Sequence, residues 1–448
     1  MKNLPRDTKM LSRGLRIVLC LLVALIAGAT YADGHCDFAE ETVRLGGVVP
    51  LSSPGSVTGG IGMQWGFEQA IADINAGCGI QIDGANHRLE IIVADSEGVS
   101  EYGQTALERL ILQDNARGIV GFYHSAVGLA TMGMVQRYQI PTIYAHPRND
   151  QISAAGYVEF EGKPSRRSQG VDYVFRISPP SSIVGKVVTD WLVAQGVVDV
   201  VIIIENTDYG HPAGAAEGAH LERAGVHVEQ LEIELGTEDF VPILSRIMAR
   251  PEPLDAIRLL VSGETSYNLT QQMAELGIAP SADTICVTNH LAFQSVQYWN
   301  TVPDGNYCVF ERVGTVPGQY NDLAAELDRR YLEDFGDILV SFAMEAYDSV
   351  WLMADAMQRA GSYTDAEAIV AALELTDIEL SQGRYYFTYG SHNPELPPDV
   401  PAYMWHQWPV PVVTVLQYFE EGQNGLDAAV IWPEEYQTHG TDYFEVGS

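Results

Sequence analysis

Lysine is scarce in this 448-residue chain, which carries only Lys2, Lys9, Lys163 and Lys186. Lysine and arginine together number 25 against 59 aspartates and glutamates, which gives a formal net charge of −34. A protein that binds nucleic acid needs a positive surface to approach the phosphate backbone. The acidic composition therefore argues against a nucleic-acid partner.

Common catalytic motifs are also missing. The chain has no Gly-x-Ser-x-Gly elbow, no Gly-Lys-Ser/Thr phosphate loop and no His-Glu-x-x-His zinc helix. The glycine-rich stretch at 59–62 does not have the spacing of a dinucleotide site. We therefore expect no catalysis, no cofactor and no bound metal.

Histidine leaves one enzymatic alternative open. Four of the 11 histidines, His124, His146, His211 and His290, lie at the ends of predicted strands. A metal ion or a general base can occupy such positions. A secreted hydrolase that uses these groups is therefore the minor alternative to a binding protein.

Long apolar runs are absent beyond the first thirty residues. A basic segment over residues 2–16 precedes the apolar stretch 17–29, which is too short to span a bilayer comfortably. Small residues at Thr30 and Ala32 suit a cleavage site. We predict a signal peptide over residues 1–32 and export of the mature chain to the periplasm.

Cysteine is rare, with five residues in all. Cleavage of the signal peptide removes Cys20 and leaves Cys36, Cys78, Cys286 and Cys308. An even number in an oxidising compartment indicates two disulfides, for which three pairings are possible. We favour the pairs that are close in sequence, Cys36–Cys78 and Cys286–Cys308, over four separate buried thiols.

Short apolar strands that alternate with helices are abundant. The first series has predicted strands at 43–49, 89–95, 118–122 and 140–146, with helices between them. A second series has predicted strands at 198–205, 226–235, 256–261 and 284–288. Such alternation predicts an α/β fold with mostly parallel sheets. Two series of similar size indicate two lobes with a cleft between them.

The remaining chain completes these lobes. Long helices are predicted at 323–335 and 344–360, and the segments 156–170 and 394–411 are expected to run over the surface. We assign residues 42–176 plus 308–388 to the first lobe and residues 177–307 plus 389–434 to the second. Residues 435–448 form a predicted C-terminal tail.

Candidate binding residues follow the strands of the first lobe. Ligands of open α/β sheets bind at the carboxyl ends of the strands, and a helix N-terminus favours anionic groups. The hydroxyl of Ser125 and the N–H of Ala126 are therefore predicted to hold a carboxylate or an amide oxygen. Tyr144, Ala145 and His146 are predicted to hold the same group. The alternative is an ordinary strand–turn–helix with Ser125 as the N-cap.

Candidate residues of the second lobe complete the cleft. Tyr209 is predicted to pack over the ligand, since a phenol combines apolar contact with one hydrogen bond. Glu264 is predicted to accept an ammonium or amide N–H. Asn289 and His290 are predicted to form the rest of this wall.

Several stretches together resemble a known family. They are residues 43–52, 66–79, 118–121, 140–143, 174–176, 208–210, 344–348, 360–362 and 382–393. In order and spacing the chain resembles the periplasmic solute-binding proteins of ABC importers for branched-chain amino acids, amides and urea. This resemblance implies the type I fold, in which three crossover strands join two Rossmann-like lobes.

The resemblance also implies roles for individual residues. The head-group loop of the family falls on Ser125 and Ala126, its next loop falls on Ala145 and His146, and its second-lobe aromatic residue falls on Tyr209. His146 and Arg148 are departures, because amino-acid binders have small residues and a threonine in that loop.

The residue that amino-acid binders use for the ammonium group is a further departure. It would lie near Asn289 or His290, neither of which is acidic, and Glu264 is the candidate substitute. The resemblance implies a monomer that captures a branched-chain amino acid, short amide or urea-like solute and delivers it to an ABC permease in the inner membrane. A ligand-sensing subunit of a periplasmic signalling receptor is the alternative.

Overall fold

The computed structural model describes residues 36–154, 171–262, 265–289, 298–301 and 308–440. Four predictions lie outside these residues: the signal peptide, the excursion at 156–170, and the site residues Glu264 and His290. Within the described ranges, no helix is long and apolar enough to cross a membrane.

The elements alternate as the sequence predicts. The first series comprises β1 (Val43–Val49), α1 (Val57–Ala76), β2 (Ile80–Ile82), β3 (Ala85–His87), β4 (Leu89–Asp95), α2 (Ser100–Leu112), β5 (Gly118–Gly121), α3 (Ser125–Tyr138), β6 (Thr142–Tyr144) and β7 (Val174–Arg176). The second series comprises α4 (Ser181–Ala194), β8 (Asp199–Glu205), α5 (Gly210–Arg223), β9 (His227–Ile233), α6 (Val241–Met248), β10 (Ala256–Leu260), α7 (Thr265–Glu275), β11 (Ile285–Thr288), α8 (Tyr298–Thr301) and β12 (Cys308–Val313). The last elements are α9 (Asp322–Phe335), α10 (Ser341–Ala360), α11 (Ala366–Glu374), β13 (Asp377–Leu380), β14 (Gly383–Tyr386), β15 (Val413–Gln417) and β16 (Ala429–Trp432).

Five parallel strands form the first lobe, in the order β4-β1-β5-β6-β7. Two helix pairs, α1 with α10 and α2 with α3, pack against this sheet. Gly66 permits the close approach of α1 to α10, because a Cβ at that position would lie 2.2 Å from the carbonyl oxygen of Ala343. The short β2–β3 hairpin was not predicted from the sequence.

Seven strands form the second lobe, in the order β16-β15-β12-β11-β10-β8-β9. Strands β8 to β12 are parallel, and β15 and β16 are antiparallel additions at one side. Strand β8 is buried at residues 200–205, as a sheet covered on both faces requires. The chain passes between the lobes three times: after β7, after β12 and before β15.

One predicted lobe boundary and one predicted surface segment are wrong. Residues 308–313 were assigned to the first lobe, but they form β12, which pairs with β11 and β15 in the second sheet. The segment 394–411 was expected on the surface, but Trp405 and Trp408 are 1% and 2% exposed within the first-lobe core. Backbone hydrogen bonds join Arg176 to His406 and Trp408 at 2.9 Å, so this part of the segment lies along the edge of the first sheet.

One of the two predicted disulfides is confirmed. Cys36 and Cys78 are bonded, with their Cα atoms 5.2 Å apart. The predicted pair Cys286–Cys308 is wrong, because Cys286 is a free, buried thiol. The two residues are register partners on neighbouring parallel strands, where Cα–Cβ bonds run side by side, so the Cβ atoms stay about 4.8 Å apart and do not converge to the about 3.8 Å of a disulfide. Burial among apolar side chains raises the pKa of the Cys286 thiol to about 12.

Candidate ligand-binding cleft

One cleft between the lobes collects residues that follow the carboxyl ends of the strands. It contains about 640 Å³ of empty space, counting its open mouth. The first lobe contributes Gly98, Tyr123, His124, Ser125, Ala126, His146 and Arg148. The second lobe contributes Glu205, Thr207, Tyr209, Leu235, Val261, Ser262 and Asn289.

A strained turn between β5 and α3 positions the first wall. Gly121 has φ of 110° and Phe122 has φ of 65°. Residues other than glycine rarely adopt such positive backbone angles. A Cβ at Gly121 would lie 2.7 Å from the carbonyl oxygen of Val48, so the sharp turn also needs glycine for space. The turn brings the first residue of α3, Ser125, to the cleft.

The hydroxyl of Ser125 links two strand exits. It accepts hydrogen bonds from the backbone N–H groups of Arg148 at 3.3 Å and Asn149 at 3.1 Å. The N-cap alternative is wrong, because His124 occupies the N-cap position and no side chain caps this helix. The Ser125 proton and the first N–H groups of α3 are therefore suited to donate to a ligand oxygen.

Two further side chains of the first wall, His146 and Arg148, each contact the carboxylate of a buried glutamate. His146 stacks near Tyr123, with ring centroids 4.5 Å apart, and its Nδ1 lies 2.6 Å from Glu345 Oε2 on α10. Arg148 Nη1 donates to Glu311 Oε1 of β12 at 2.7 Å. Each basic group is thus held in place by a buried carboxylate.

The Glu311 carboxylate belongs to a larger buried ion network. Its Oε2 accepts from Arg258 Nη2 at 2.6 Å, and Arg258 also donates to both oxygens of Glu217 at 2.9 and 3.0 Å. Arg148, on the first lobe, is joined through Glu311 to two residues of the second. The four charges sum to zero, so the network is neutral while it connects the lobes.

Glu205 is the acidic group of the second wall. It ends β8 and is 1% exposed. Ser262 donates to Glu205 Oε1 through its backbone N–H at 2.7 Å and to Oε2 through its hydroxyl at 2.7 Å. Burial raises the pKa of Glu205 to about 7, although the hydrogen bonds from Ser262 oppose that shift.

Tyr209 and Asn289 form a second polar pair on this wall. With the Asn289 amide oriented so that both its atoms are satisfied, Tyr209 donates its hydroxyl proton to the amide oxygen at 2.6 Å. The amide nitrogen then donates to the carbonyl oxygens of Leu259 and Val261 at 3.1 Å. Burial raises the pKa of Tyr209 above its usual value, so the phenol remains protonated.

Five of the nine predicted site residues line the cleft: Ser125, Ala126, His146, Tyr209 and Asn289. Tyr144 and Ala145 do not line it. Tyr144 is fully buried, stacks on Phe122 with centroids 4.5 Å apart, and its hydroxyl lies 3.0 Å from the hydroxyl of Thr131.

Two charged residues of the cleft were absent from the predicted site. Arg148 was noted only as a departure from the family, and Glu205 only as the end of an apolar strand. A charged residue that ends a buried parallel strand is itself a signal, because it lies at the edge of the sheet where ligands bind. In the parts of the chain that the structure describes, no group of three or more His, Cys, Asp or Glu residues is arranged to hold a metal ion.

Sequence relatives include the Leu/Ile/Val-binding protein homolog 6 of Brucella abortus, which is 22% identical over 277 residues. The match covers 61% of this chain and spans 62% of the length of that relative.

Solved structures of the same fold include two ligand complexes. The branched-chain amino acid substrate-binding protein LivJ of Streptococcus pneumoniae, in complex with isoleucine, superimposes with a TM-score of 0.67 at 19% identity. That match covers 87% of this chain and 98% of LivJ. A solute-binding protein from R. palustris in complex with benzoate has a TM-score of 0.69 at 16% identity, covering 86% and 95% of the two chains. These likenesses confirm the predicted fold.

The family model for periplasmic binding proteins matches residues 42–399. That range contains both walls of the cleft. Family members and the structural neighbours are solute-binding proteins and not enzymes. Because the match spans most of the chain, this protein belongs to the periplasmic binding protein family.

Proposed function

We propose that this protein is an exported substrate-binding protein that captures one small polar solute and delivers it to an ABC permease in the inner membrane. Branched-chain amino acids, short amides, urea-like compounds and aromatic acids are the candidate solutes. The proposal is carried by one observation: a single cleft takes its two walls from different lobes.

Complementary polar groups on the two walls support this function. On the first wall, Ser125 and the first N–H groups of α3 are hydrogen-bond donors. On the second wall, the polar groups are the hydroxyl of Tyr209 and the side-chain amide of Asn289. A solute enclosed between them needs nearly every polar atom matched, because an unpaired buried group costs about 1–3 kcal/mol. That requirement makes the cleft selective.

Contacts across the cleft support a closing motion of the lobes. The side-chain amide of Asn149 in the first lobe donates to the carbonyl oxygen of Asp208 in the second. Together with the Arg148–Glu311 ion pair, it joins the two lobes. A solute that touches both walls would shift the population towards the closed form.

A thermal-shift screen of the mature protein tests solute binding. Amino acids, amides, urea and small carboxylates are added singly to protein that has been unfolded and refolded to remove any bound solute. A binding solute raises the melting temperature by mass action, and calorimetry should then give one site per chain. No shift with any class would contradict the proposed function.

Delivery is a separate part of the proposal and needs its own measurement. Uptake of the labelled solute is followed in vesicles that carry the candidate permease, with and without this protein. We expect uptake only when the protein is present. Uptake that is independent of it would contradict delivery and leave solute binding for sensing as the function.

A further inference from the structure

The loop 146–150, which follows β6 in the first lobe, is attached to both lobes through its backbone. In the first lobe, the hydroxyl of Ser125 accepts hydrogen bonds from the backbone N–H groups of Arg148 and Asn149. In the second lobe, Ser181 at the start of α4 donates to the carbonyl oxygen of Arg148 through its N–H at 2.7 Å and its hydroxyl at 2.9 Å. The backbone of this loop is therefore fixed beside the first crossing between the lobes.

The second-lobe side chains that meet this loop carry an excess of negative charge. Glu311 on β12 accepts a hydrogen bond from Arg258 on β10 at 2.6 Å, and Arg258 donates to both oxygens of Glu217 on α5. All three residues are at most 2% exposed. Both oxygens of Glu217 act as acceptors, as in an ionised carboxylate, even though burial raises the pKa of this acid. Two carboxylates and one guanidinium have a formal charge of −1, which is costly in a buried position.

Arg148 supplies the compensating positive charge from the first lobe. Its Nη1 donates to Glu311 at 2.7 Å, and the two residues are 8% and 1% exposed. Next to Arg148 in the chain, the side-chain amide of Asn149 donates to the carbonyl oxygen of Asp208. Both contacts cross between the lobes, and both are made by protein atoms alone. A rotation that separates these atoms beyond about 3.5 Å breaks the hydrogen bonds and leaves a charge of +1 on the first lobe and −1 on the second.

We propose that the Arg148–Glu311 ion pair, together with the Asn149–Asp208 hydrogen bond, is a latch that favours the closed arrangement of the lobes independently of any solute. The inference rests on the proposed function only in taking the closed form as the one that encloses the solute. Because closure and binding are linked, the latch raises the affinity for every solute that the closed cleft holds by the same factor.

Single-molecule fluorescence energy transfer on the unliganded protein tests the latch directly. Dyes are attached through unnatural amino acids at Tyr102 and Val241, which are 50% and 48% exposed near the starts of α2 and α6. We expect a population with the dyes close together in the wild type. Arg148→Met and Glu311→Gln should each lower the closed-to-open ratio by about tenfold or more, as expected for loss of a hydrogen bond between charged groups. The double variant should lower it no further, because both substitutions remove one contact.

Three further variants serve as controls. Arg250→Met removes a mostly buried arginine whose partners, Asp199 and Glu229, belong to its own lobe, so it should lower stability and leave the closed-to-open ratio unchanged. Asn149→Ala should lower the ratio by about threefold, because it removes the neutral crossing contact. Arg148→Lys keeps the charge and should lower the ratio less than Arg148→Met does, and it replaces Arg148→Met if that variant does not fold.

Binding measurements then test the link between closure and affinity. Glu311 is not among the residues that line the cleft, so Glu311→Gln removes no direct contact with a solute. L-leucine, acetamide, urea and benzoate serve as probes in calorimetry. For each probe that binds the wild type, Glu311→Gln should raise the dissociation constant by the factor by which the closed fraction falls.

The possible outcomes separate the latch from the proposed function. An unchanged closed-to-open ratio in Arg148→Met and Glu311→Gln would show that the ion pair is a static support, and additive effects in the double variant would show that the two residues act separately. Either result overturns the latch, as does a loss of affinity that differs between probes. If no probe or other solute binds, the proposed function fails, and the measurement on the unliganded protein still decides whether the latch exists.

Discussion

The two walls of the cleft treat buried charge in different ways. On the first wall, His146 and Arg148 each contact a carboxylate, Glu345 or Glu311, that is 1% exposed. On the second wall, the donors to Glu205 within the described part of the chain are the neutral groups of Ser262. His146 and Arg148 therefore each have a carboxylate partner within the protein, whereas Glu205 has no basic partner among the residues that the structure describes.

The two walls are therefore expected to respond differently to substitution. The Arg148–Glu311 ion pair connects the lobes and the His146–Glu345 contact orients the first wall, so loss of either carboxylate should destabilise the fold. The unpaired acid on the second wall destabilises the empty protein, so its removal should improve stability and weaken binding. Such a trade between stability and function is common at binding sites.

The largest expected effect comes from breaking the charge network of the first wall. Glu311→Gln removes the carboxylate that Arg148 and Arg258 share, and Arg258 keeps only its contact with Glu217. Loss of one partner from a buried ion pair lowers the free energy of unfolding by about 3–5 kcal/mol. Denaturant unfolding should show that loss. The exposed pair Arg329–Glu326 provides the control, since Glu326→Gln should change stability little. Equal effects of the two variants would contradict the comparison.

A smaller effect should follow from the unpaired acid of the second wall. Burial raises the pKa of Glu205 from 4.5 to about 7, so the folded protein holds this proton more tightly than the unfolded chain does. The stability that this proton provides is present below about pH 4.5 and lost as the pH rises to about 7, by about 3 kcal/mol.

Urea denaturation of the unliganded protein at about pH 5 and about pH 8 measures this dependence. The stability advantage of Glu205→Gln over the wild type should grow with pH. Burial also raises the pKa of Asp348 to about 6, but this residue is present in both proteins and its contribution cancels. A difference that stays constant with pH would show that Glu205 is not a buried, unpaired acid.

Ser125→Ala should have a moderate effect on the first wall. The substitution leaves the amides of Arg148 and Asn149 without their acceptor and removes a donor to the solute. We expect about 1–2 kcal/mol lower stability and about tenfold weaker binding, with the protein still folded. Denaturation and calorimetry measure the two effects. An unchanged affinity would remove Ser125 from the binding site.

Tyr209→Phe should have the smallest effect. It removes the hydroxyl that donates to Asn289 but keeps the aromatic surface of the second wall. We expect a loss of about 1 kcal/mol in stability and a small change in solute affinity. A loss of affinity as large as that of Glu205→Gln would show that the phenol itself contacts the solute.

Local pattern was sufficient for most of the fold. The strands predicted at 43–49 and 89–95 match β1 and β4, and the helix predicted at 344–360 lies within α10. Strand β12 was not predicted because its assignment depends on pairing with β11 and β15. Trp405 was misplaced for a similar reason: only tertiary packing shows that a Pro- and Trp-rich segment adds to the first-lobe core.

Sequence pattern was enough to predict the two α/β lobes and the position of Ser125 at the end of a strand, because each follows from periodicity within a short segment. Which charged groups contact one another became clear only from the folded chain. Arg148 lies 163 positions from Glu311, and Glu205 lies 57 from Ser262. Periodicity does not predict such distant pairs, because burial and strand register bring them together.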